Sequence, residues 1–238
     1  MGKTVASGVA TREGVQIVAG VDIAGGNCAE FPVYMSFDEI MENGDVIIDF
    51  SNANALESIL EYAKRTNTPC VLCSTGYSAE QIDLINRFSE EVAIFRSANM
   101  SLGINLLSEL VKTAARVLGE SFDIEIVEAH HNLKLDAPSG TALMLEKSVE
   151  DGLNYTPELV YDRHQNRKKR DKKEIGMHSI RGGTIVGEHE VIFAGTDEII
   201  TISHSARSKS VFAAGAIDAA IFMNGKSSGL YDMSNVIK

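Results

Sequence analysis

Residues 45–76 read DVIIDFSNANALESILEYAKRTNTPCVLCSTG, and three segments with different periods lie inside them. Val46, Ile47 and Ile48 form an apolar run between Asp45 and Asp49, and residues 69–73 form a second run ending at Cys73. Runs this short and continuous suit strands of a parallel sheet that is covered on both faces. Between them, residues 54–64 place Leu56, Ile59, Leu60 and Ala63 on one helical face. Strand, helix and strand in that order make a crossover unit of a parallel sheet.

The alternation continues outward on both sides. Residues 15–21 are an apolar run ending at Asp22, and residues 92–95 are another. Residues 78–88 open with Ser78 and Gln81 as a capping box and carry Ile82, Ile85 and Phe88 inward. The first half is therefore predicted to be a Rossmann-like α/β unit. Further on the period changes. Residues 102–118 form a long amphipathic helix, and residues 122–129 alternate, with Ile124, Ile126 and Glu128 opposed to Asp123, Glu125 and Val127. Ser139 opens a helix that runs to about Glu150. Strand-like stretches at 174–181, 188–194 and 198–205 predict an antiparallel or mixed sheet, and an alanine-rich helix follows at 210–222. The second half reads as α+β.

With 238 residues, 44% of them hydrophobic, the chain can bury a sizeable core in one large domain or two small ones. A net charge of −11 argues against a general nucleic-acid footprint. No stretch of 18 apolar residues and no basic-then-apolar leader occurs, so neither a membrane span nor export is expected. Cys28, Cys70 and Cys73 form no disulfide framework. Cys70 and Cys73 have the CxxC spacing used in redox and zinc chemistry, but they fall in a run expected to be a buried strand and are read as core. A reduced, cytoplasmic protein follows. Residues 163–173 break the acidic average with seven Lys or Arg and one Asp. They read first as a solvated loop, with a basic flap over an anionic ligand as the functional alternative.

Chemistry concentrates in residues 128–142, EAHHNLKLDAPSGTA. His130 and His131 end a strand, so their side chains point in opposing directions and suit a shared metal poorly. One can face a cleft as a proton donor, because imidazole titrates near neutrality. Lys134 adds a positive charge and a second potential donor. Pro138, Ser139, Gly140 and Thr141 lie where a loop enters a helix, and backbone N–H groups, hydroxyls and the helix dipole there favour an anion such as a carboxylate.

This string resembles the E-x-H-H-x-x-K-x-D-A-P-S-G-T-A motif of the 4-hydroxy-tetrahydrodipicolinate (dihydrodipicolinate) reductase family, at every fixed position. Further matches run in order along the chain: Asp49-Phe50-Ser51, Ser74-Thr75-Gly76, Ala98-Asn99-Met100-Ser101, Arg181-Gly182-Gly183, Glu188-His189 and Gly229-Leu230-Tyr231-Asp232-Met233. The resemblance implies reduction of a cyclic dicarboxylate imine by NADH, with NADPH as the alternative, in lysine and diaminopimelate synthesis. It implies that His130 protonates the enamine left by hydride addition, with Lys134 as its partner donor. His131, Ser139, Gly140, Thr141 and Thr75 are the implied substrate contacts. Met1, Gly2, Asp22, Cys73, Ser74, Thr75, Ser97, Ala98, Asn99 and Met100 are the implied cofactor contacts. No metal is implied. The implied domains are 1–101 with 209–238 for the dinucleotide and 102–208 for substrate and oligomerisation, and the implied assembly is a homotetramer. Another two-domain nicotinamide enzyme, such as a semialdehyde or homoserine dehydrogenase, does not account for the 128–142 string.

One departure stands out. A dinucleotide site needs a strand, a glycine loop, a helix and, about twenty residues on, an acid. Asp22 suits the acid and residues 3–12 suit the helix, but the strand and most of the G-x-x-G-R-M-G loop would precede Met1. Gly2 would be the loop's last glycine, and Gly25-Gly26, which follows the second strand, reads as a turn. The expectation is a start lying upstream, with weak cofactor binding by the chain as written. The alternative is a non-catalytic scaffold that binds dicarboxylates. Asp22 followed by Ile23 offers a carboxylate and no cation to a 2′-phosphate, which favours NADH.

Overall fold

A computed structural model describes residues 1–25, 30–164 and 167–237. Gly26, Cys28 and two residues of the basic segment, 165 and 166, lie outside the described residues. The chain forms two compact units, Met1–Met100 with Phe212–Lys238, and Ser101–Val211. It runs through α1 (Gly2–Val9), β1 (Gly20–Val21), β2 (Val33–Tyr34), β3 (Ile47–Asp49), α2 (Leu56–Thr66), β4 (Cys70–Leu72), α3 (Ala79–Ser89) and β5 (Ala93–Arg96). The second unit holds α4 (Leu102–Leu118), β6 (Asp123–His130), α5 (Gly140–Glu150), β7 (Glu158–Val160), β8 (Glu174–Arg181), β9 (Gly187–Ala194) and β10 (Ile199–Ala206). Most of α6 (Ser210–Met223), with β11 (Gly229–Tyr231) and α7 (Met233–Val236), belongs to the first unit again.

In the first unit the strands run parallel in the order β11-β5-β4-β3. Both faces are covered, which is why the strands read as unbroken apolar runs. On one side Leu72 and Ile94 pack against Leu56, Leu60 and Ile85 of α2 and α3. On the other, Val71 and Phe95 pack against Ala216, Ala219 and Met223 of α6. The capping box of α3 forms in both directions, Gln81 N donating to Ser78 Oγ and Ser78 N donating to Gln81 Oε1. β11 was not foreseen; it pairs with β5 and brings the C-terminal segment into this sheet.

The predicted strand at 15–21 shrinks to Gly20 and Val21, which pair in parallel with Val33 and Tyr34 of β2. Among the described residues no ladder joins this pair to the four-stranded sheet. Val15 and Ile17 instead pack beside Val5 and Val9 of α1 and Ile217 of α6. An apolar run becomes a strand only where a second backbone is in reach of its N–H and C=O groups. Gly25, in the left-handed region at φ +63°, closes a turn by donating to Asp22 O at 2.8 Å.

The second unit has the mixed order β10-β9-β6-β8-β7, with β6 parallel to β8 and antiparallel to β9. One face is buried beneath α4 and α5, where Leu107, Val111, Leu145 and Val149 meet Ile124, Ile126, Val191 and Phe193. The opposite face is polar and takes up the basic segment. Arg163 donates to Glu174 and Glu125 at 2.7 and 3.1 Å, Arg170 to Glu125 and Asp123 at 3.1 Å each, and Lys168 pairs with Glu174 at 3.0 Å. Arg163 and Lys168 hold the Glu174 carboxyl down at about 2. Four of the seven basic side chains, Arg163, Lys168, Arg170 and Lys172, are thus paired with acidic side chains of β6 and β8.

After α5 the chain passes Gly152 against α4 so closely that a Cβ at this position would overlap the carbonyl oxygen of Lys112. Backbone cannot yield as a flexible side chain can. Gly152→Ala is expected to destabilise the second unit by about 1–3 kcal/mol, the usual cost of overpacking, and urea unfolding of the two proteins measures it.

Candidate active site

β6 ends at His130, and the chain returns through a loop to the N-terminus of α5. Glu128, two residues before the strand end, lies on the inward phase of β6 and is 0% exposed. Its carboxylate receives a fork from Arg181 on the neighbouring β8, Nη1 at 2.9 Å on Oε2 and Nη2 at 2.7 Å on Oε1. It also accepts from Ser139 N at 3.2 Å and meets His130 Nδ1 at 2.5 Å. A carboxylate offers about four acceptor positions, and these contacts, with a further hydrogen bond from Ser179, fill them. Burial raises the Glu128 pKa, but hydrogen bonds from Arg181, Ser179 and His130 outweigh burial and hold it at about 2. Glu128 is therefore ionised and can only accept. His130 Nδ1 must carry the hydrogen, and Nε2 is left for other chemistry.

His130 is 8% exposed. Gly187 of β9 lies beside its Nε2, at a distance that leaves little space for any larger residue: a Cβ there would stand 3.2 Å from the nitrogen. Burial lowers the His130 pKa, the Glu128 contact opposes this, and Lys134 and Arg181 lower it further, so the net displacement is downward. Burial outweighs the Glu128 contact, so the ring keeps its Nδ1 hydrogen but is not held as the imidazolium. His189 of β9 packs edge-on against His130, with ring centroids 5.1 Å apart. Burial and the neighbouring His130 push the His189 pKa down to about 4, so this ring is neutral at neutral pH.

Ser139 is the N-cap of α5. Its hydroxyl accepts from Ala142 N at 3.1 Å and shares a 3.0 Å contact with His189 Nε2. Ser139 is itself buried, so both its polar groups are used inside the protein. Gly140 and Thr141 follow in the first helical turn; Gly140 is exposed, with open space where a Cβ would be, which lets a ligand approach the backbone. Lys134 pairs with Asp136 at 2.8 Å on the loop above this turn, and His131 is half-buried just past the strand. His130, Lys134, Ser139, Gly140 and Thr141 thus come together in the second unit. Positive charge and a helix N-terminus converge there, as an anion requires.

The implied cofactor residues lie in the first unit, Thr75 among them. Cys73, Ser74 and Thr75 follow β4, and Ser97, Ala98, Asn99 and Met100 follow β5, so both loops leave the carboxyl ends of adjacent parallel strands, where α/β sheets bind nucleotides. Buried Asp49 at the end of β3 ties the loop after β4 to the loop after β3: it accepts from Ser74 Oγ at 2.7 Å and from Ser51 N at 2.8 Å. Burial, and then the Asp49 charge, push both the Cys70 and Cys73 thiols up, Cys70 to about 12. They remain protonated core thiols, and no metal-binding cluster occurs among the described residues. Met100 is buried in the core, so only its backbone is open to a loop role. Met1 caps α1 through its carbonyl, which accepts from Thr4 N and Val5 N, and Gly2 is exposed with open space beside it. Asp22, at the end of β1, uses one oxygen to accept from Ala24 N at 2.9 Å. Exposed Gly2 at a helix start, two hydroxyl-bearing loops at strand ends and the exposed Asp22 carboxylate offer parts of a site for a pyridine nucleotide, but the described residues supply no strand and glycine loop ahead of α1 to cradle its pyrophosphate.

The roles of Glu128, Arg181, His189 and Asp49 were missed in the sequence. Each stood in a quoted motif, and the inward phase of Glu128 on an apolar face was the available signal.

These two units have the form of a nucleotide-dependent α/β oxidoreductase. The family profiles for the dihydrodipicolinate reductase N-terminus and C-terminus match residues 1–100 and 103–237. The chain belongs to the dihydrodipicolinate reductase family. The 4-hydroxy-tetrahydrodipicolinate reductase of Clostridium novyi (strain NT) is 50% identical over 239 residues, covering 100% of this chain and 94% of its own length. That of Caldanaerobacter subterraneus is 50% identical over 238 residues with the same coverage. A dipicolinate-bound dihydrodipicolinate reductase from Paenisporosarcina sp. TG-14 shares the fold, with a TM-score of 0.79 and 21% identity over 97% of this chain and 92% of that one.

Ser139→Ala removes the α5 cap and the partner of His189 together. It is expected to lower stability by about 1–2 kcal/mol, read as a fall in thermal midpoint.

Proposed function

We propose that this protein reduces 4-hydroxy-tetrahydrodipicolinate to tetrahydrodipicolinate, in lysine and diaminopimelate synthesis. The carrying observation is the ring of His130, held by ionised Glu128 with Nε2 unclaimed, beside the first turn of α5. A nicotinamide nucleotide supplies the hydride. The 4-hydroxyl leaves as water, which gives the conjugated cyclic imine that takes the hydride; the protein has to bind this dianion, orient it and deliver one proton. The Gly140 and Thr141 turn, with His131 and Lys134, binds the carboxylates, and Ser139 shapes that turn from beneath. His130 in its unliganded state favours the neutral form because it is buried near Arg181 and Lys134. A dianion arriving beside it favours imidazolium, so proton uptake accompanies substrate binding. Imidazolium Nε2 then gives its proton to the carbon left electron-rich by hydride addition, and the neutral ring is reprotonated from solvent. Lys134 acts as the partner donor.

The loops after β4 and β5, the start of α1 and Asp22 hold the nucleotide in this reading. The scaffold alternative is not favoured, since relatives spanning the whole chain are reductases. Among the described residues no helix is long and apolar enough to cross a membrane. We infer a cytoplasmic homotetramer, with exposed Ile199 and Ile200 on the sheet-edge strand β10 as the apolar surface for it.

His130→Gln and Lys134→Ala are each expected to lower kcat by roughly 10²–10⁴-fold, the usual worth of general acid catalysis, with nucleotide affinity little changed. Steady-state kinetics and calorimetry check this, and wild-type kcat in both variants would overturn the proton-donor reading.

Asp22 presents a carboxylate at the end of β1, and the following Ile23 is 85% exposed and uncharged. A 2′-phosphate would meet repulsion there and no cation. A higher kcat/KM with NADH than with NADPH is the expected result, and the reverse order would place a phosphate-binding cation elsewhere.

A further inference from the structure

We propose that Glu128 is a positioning residue for the reaction: paired with Arg181, it sets the tautomer and orientation of His130 and ties that ring to the first turn of α5. The inference rests on the reading of His130 as proton donor and goes beyond it to the device that makes the ring competent.

The geometry is specific. One carboxylate joins a strand end, a neighbouring strand and a helix start through His130 Nδ1, both terminal nitrogens of Arg181 and Ser139 N. Arg181 also donates to the carbonyl of Asp136 at 2.7 Å, in the loop that carries Lys134. The donor ring, the loop lysine and the anion-binding turn are therefore held to one another through a single buried ion pair. Stability alone is a weak reason for such a pair, because apolar residues of equal volume often serve as well. What apolar residues cannot do is accept from Nδ1–H. Without an acceptor there, either ring nitrogen can carry the hydrogen of the neutral form, and the ring can rotate.

The charged and titratable groups facing His130 are Glu128 from its own strand, Arg181 from β8, His189 from β9 and Lys134 from the following loop. Only Glu128 favours the imidazolium. Removing its charge leaves Arg181 and Lys134 acting alone, and both disfavour a cation. A general acid works only while protonated, so activity is lost as pH rises through its titration. Loss of the Glu128 charge therefore moves that alkaline limb to lower pH.

Glu128→Gln, which keeps shape and removes charge, is the test. In the full-length, nucleotide-free protein, nitrogen NMR of the labelled imidazoles follows His130 through a pH titration. The expected result is a lower His130 midpoint, an alkaline kcat limb moved the same way and a roughly 10²-fold loss of kcat at neutral pH. Binding of pyridine-2,6-dicarboxylate, measured at a pH low enough that His130 is protonated in both proteins, should stay within about threefold, since hydrogen bonds to the dianion come from other residues. Glu128→Asp keeps the charge but withdraws it from the ring. It should retain a His130 midpoint nearer wild type while losing at least about tenfold in kcat. An unchanged midpoint and limb in Glu128→Gln would overturn the proposal and leave Glu128 as a structural group. If Glu128→Gln does not fold, Glu128→Asp decides, and wild-type kcat in it overturns the proposal. His130→Gln separates the two claims: wild-type activity there removes the donor reading itself, whereas an inactive His130→Gln beside an unaffected Glu128→Gln removes only the role of Glu128.

Discussion

A carboxylate buried with no exposure must be neutralised and fully hydrogen-bonded, and that requirement at Glu128 organises the second unit. Arg181 is the neutralising charge, which requires β8 to lie beside β6 in parallel register, with Arg181 opposite His130. The remaining acceptor positions draw in the His130 ring and the N-cap of α5. Hydrogen bonds to a charged group are worth about 1.5–3 kcal/mol each, and losing one partner strands the others. The carboxylate therefore limits movement of the strand end, the helix start and the ring between them.

The two units solve burial differently, and their chemistry follows. In the first, a parallel sheet covered on both faces leaves only its strand ends open, so polar groups gather in the loops after β3, β4 and β5, with Asp49 bracing the first two. In the second, only one face of the mixed sheet is covered. That face turns polar towards its end, where Glu128 pairs across to His189 and His189 to His204. The uncovered face takes a separate ionic lattice of Glu125, Glu174, Arg163 and Arg170. The same alternation of residues thus serves an apolar core, a polar site and a charged outer face.

Much of this was readable in order along the chain. The helix at 102–118 has the bounds its amphipathic period predicts, and the helix after Ser139 begins where its cap residue stands. Strand ends at 174–181 agree as well, because glycine and charge bound an apolar alternation there. The failures are those of pairing. The run at 15–21 is apolar enough for a strand, yet only Gly20 and Val21 have a partner ladder. β11 is three residues long and gains its identity from β5, so no local period announces it. The pairing of the basic segment at 163–173 was not legible because, apart from the adjacent Glu174, its acidic partners Asp123 and Glu125 stand on β6, 38 to 49 residues earlier.

By itself, the sequence determined the element types, the change from a parallel to a mixed sheet and the group of residues from His130 to Thr141 that carries the chemistry. These depend on local period, capping and residue type, which act over a few residues. Only the tertiary structure decided what His130 is bonded to, which of its nitrogens is open, and that Ser139 turns its hydroxyl inward to Ala142 and His189. Those outcomes depend on Arg181 and His189 arriving from strands about fifty residues away in the chain. Strand register, which no local pattern encodes, brings them there.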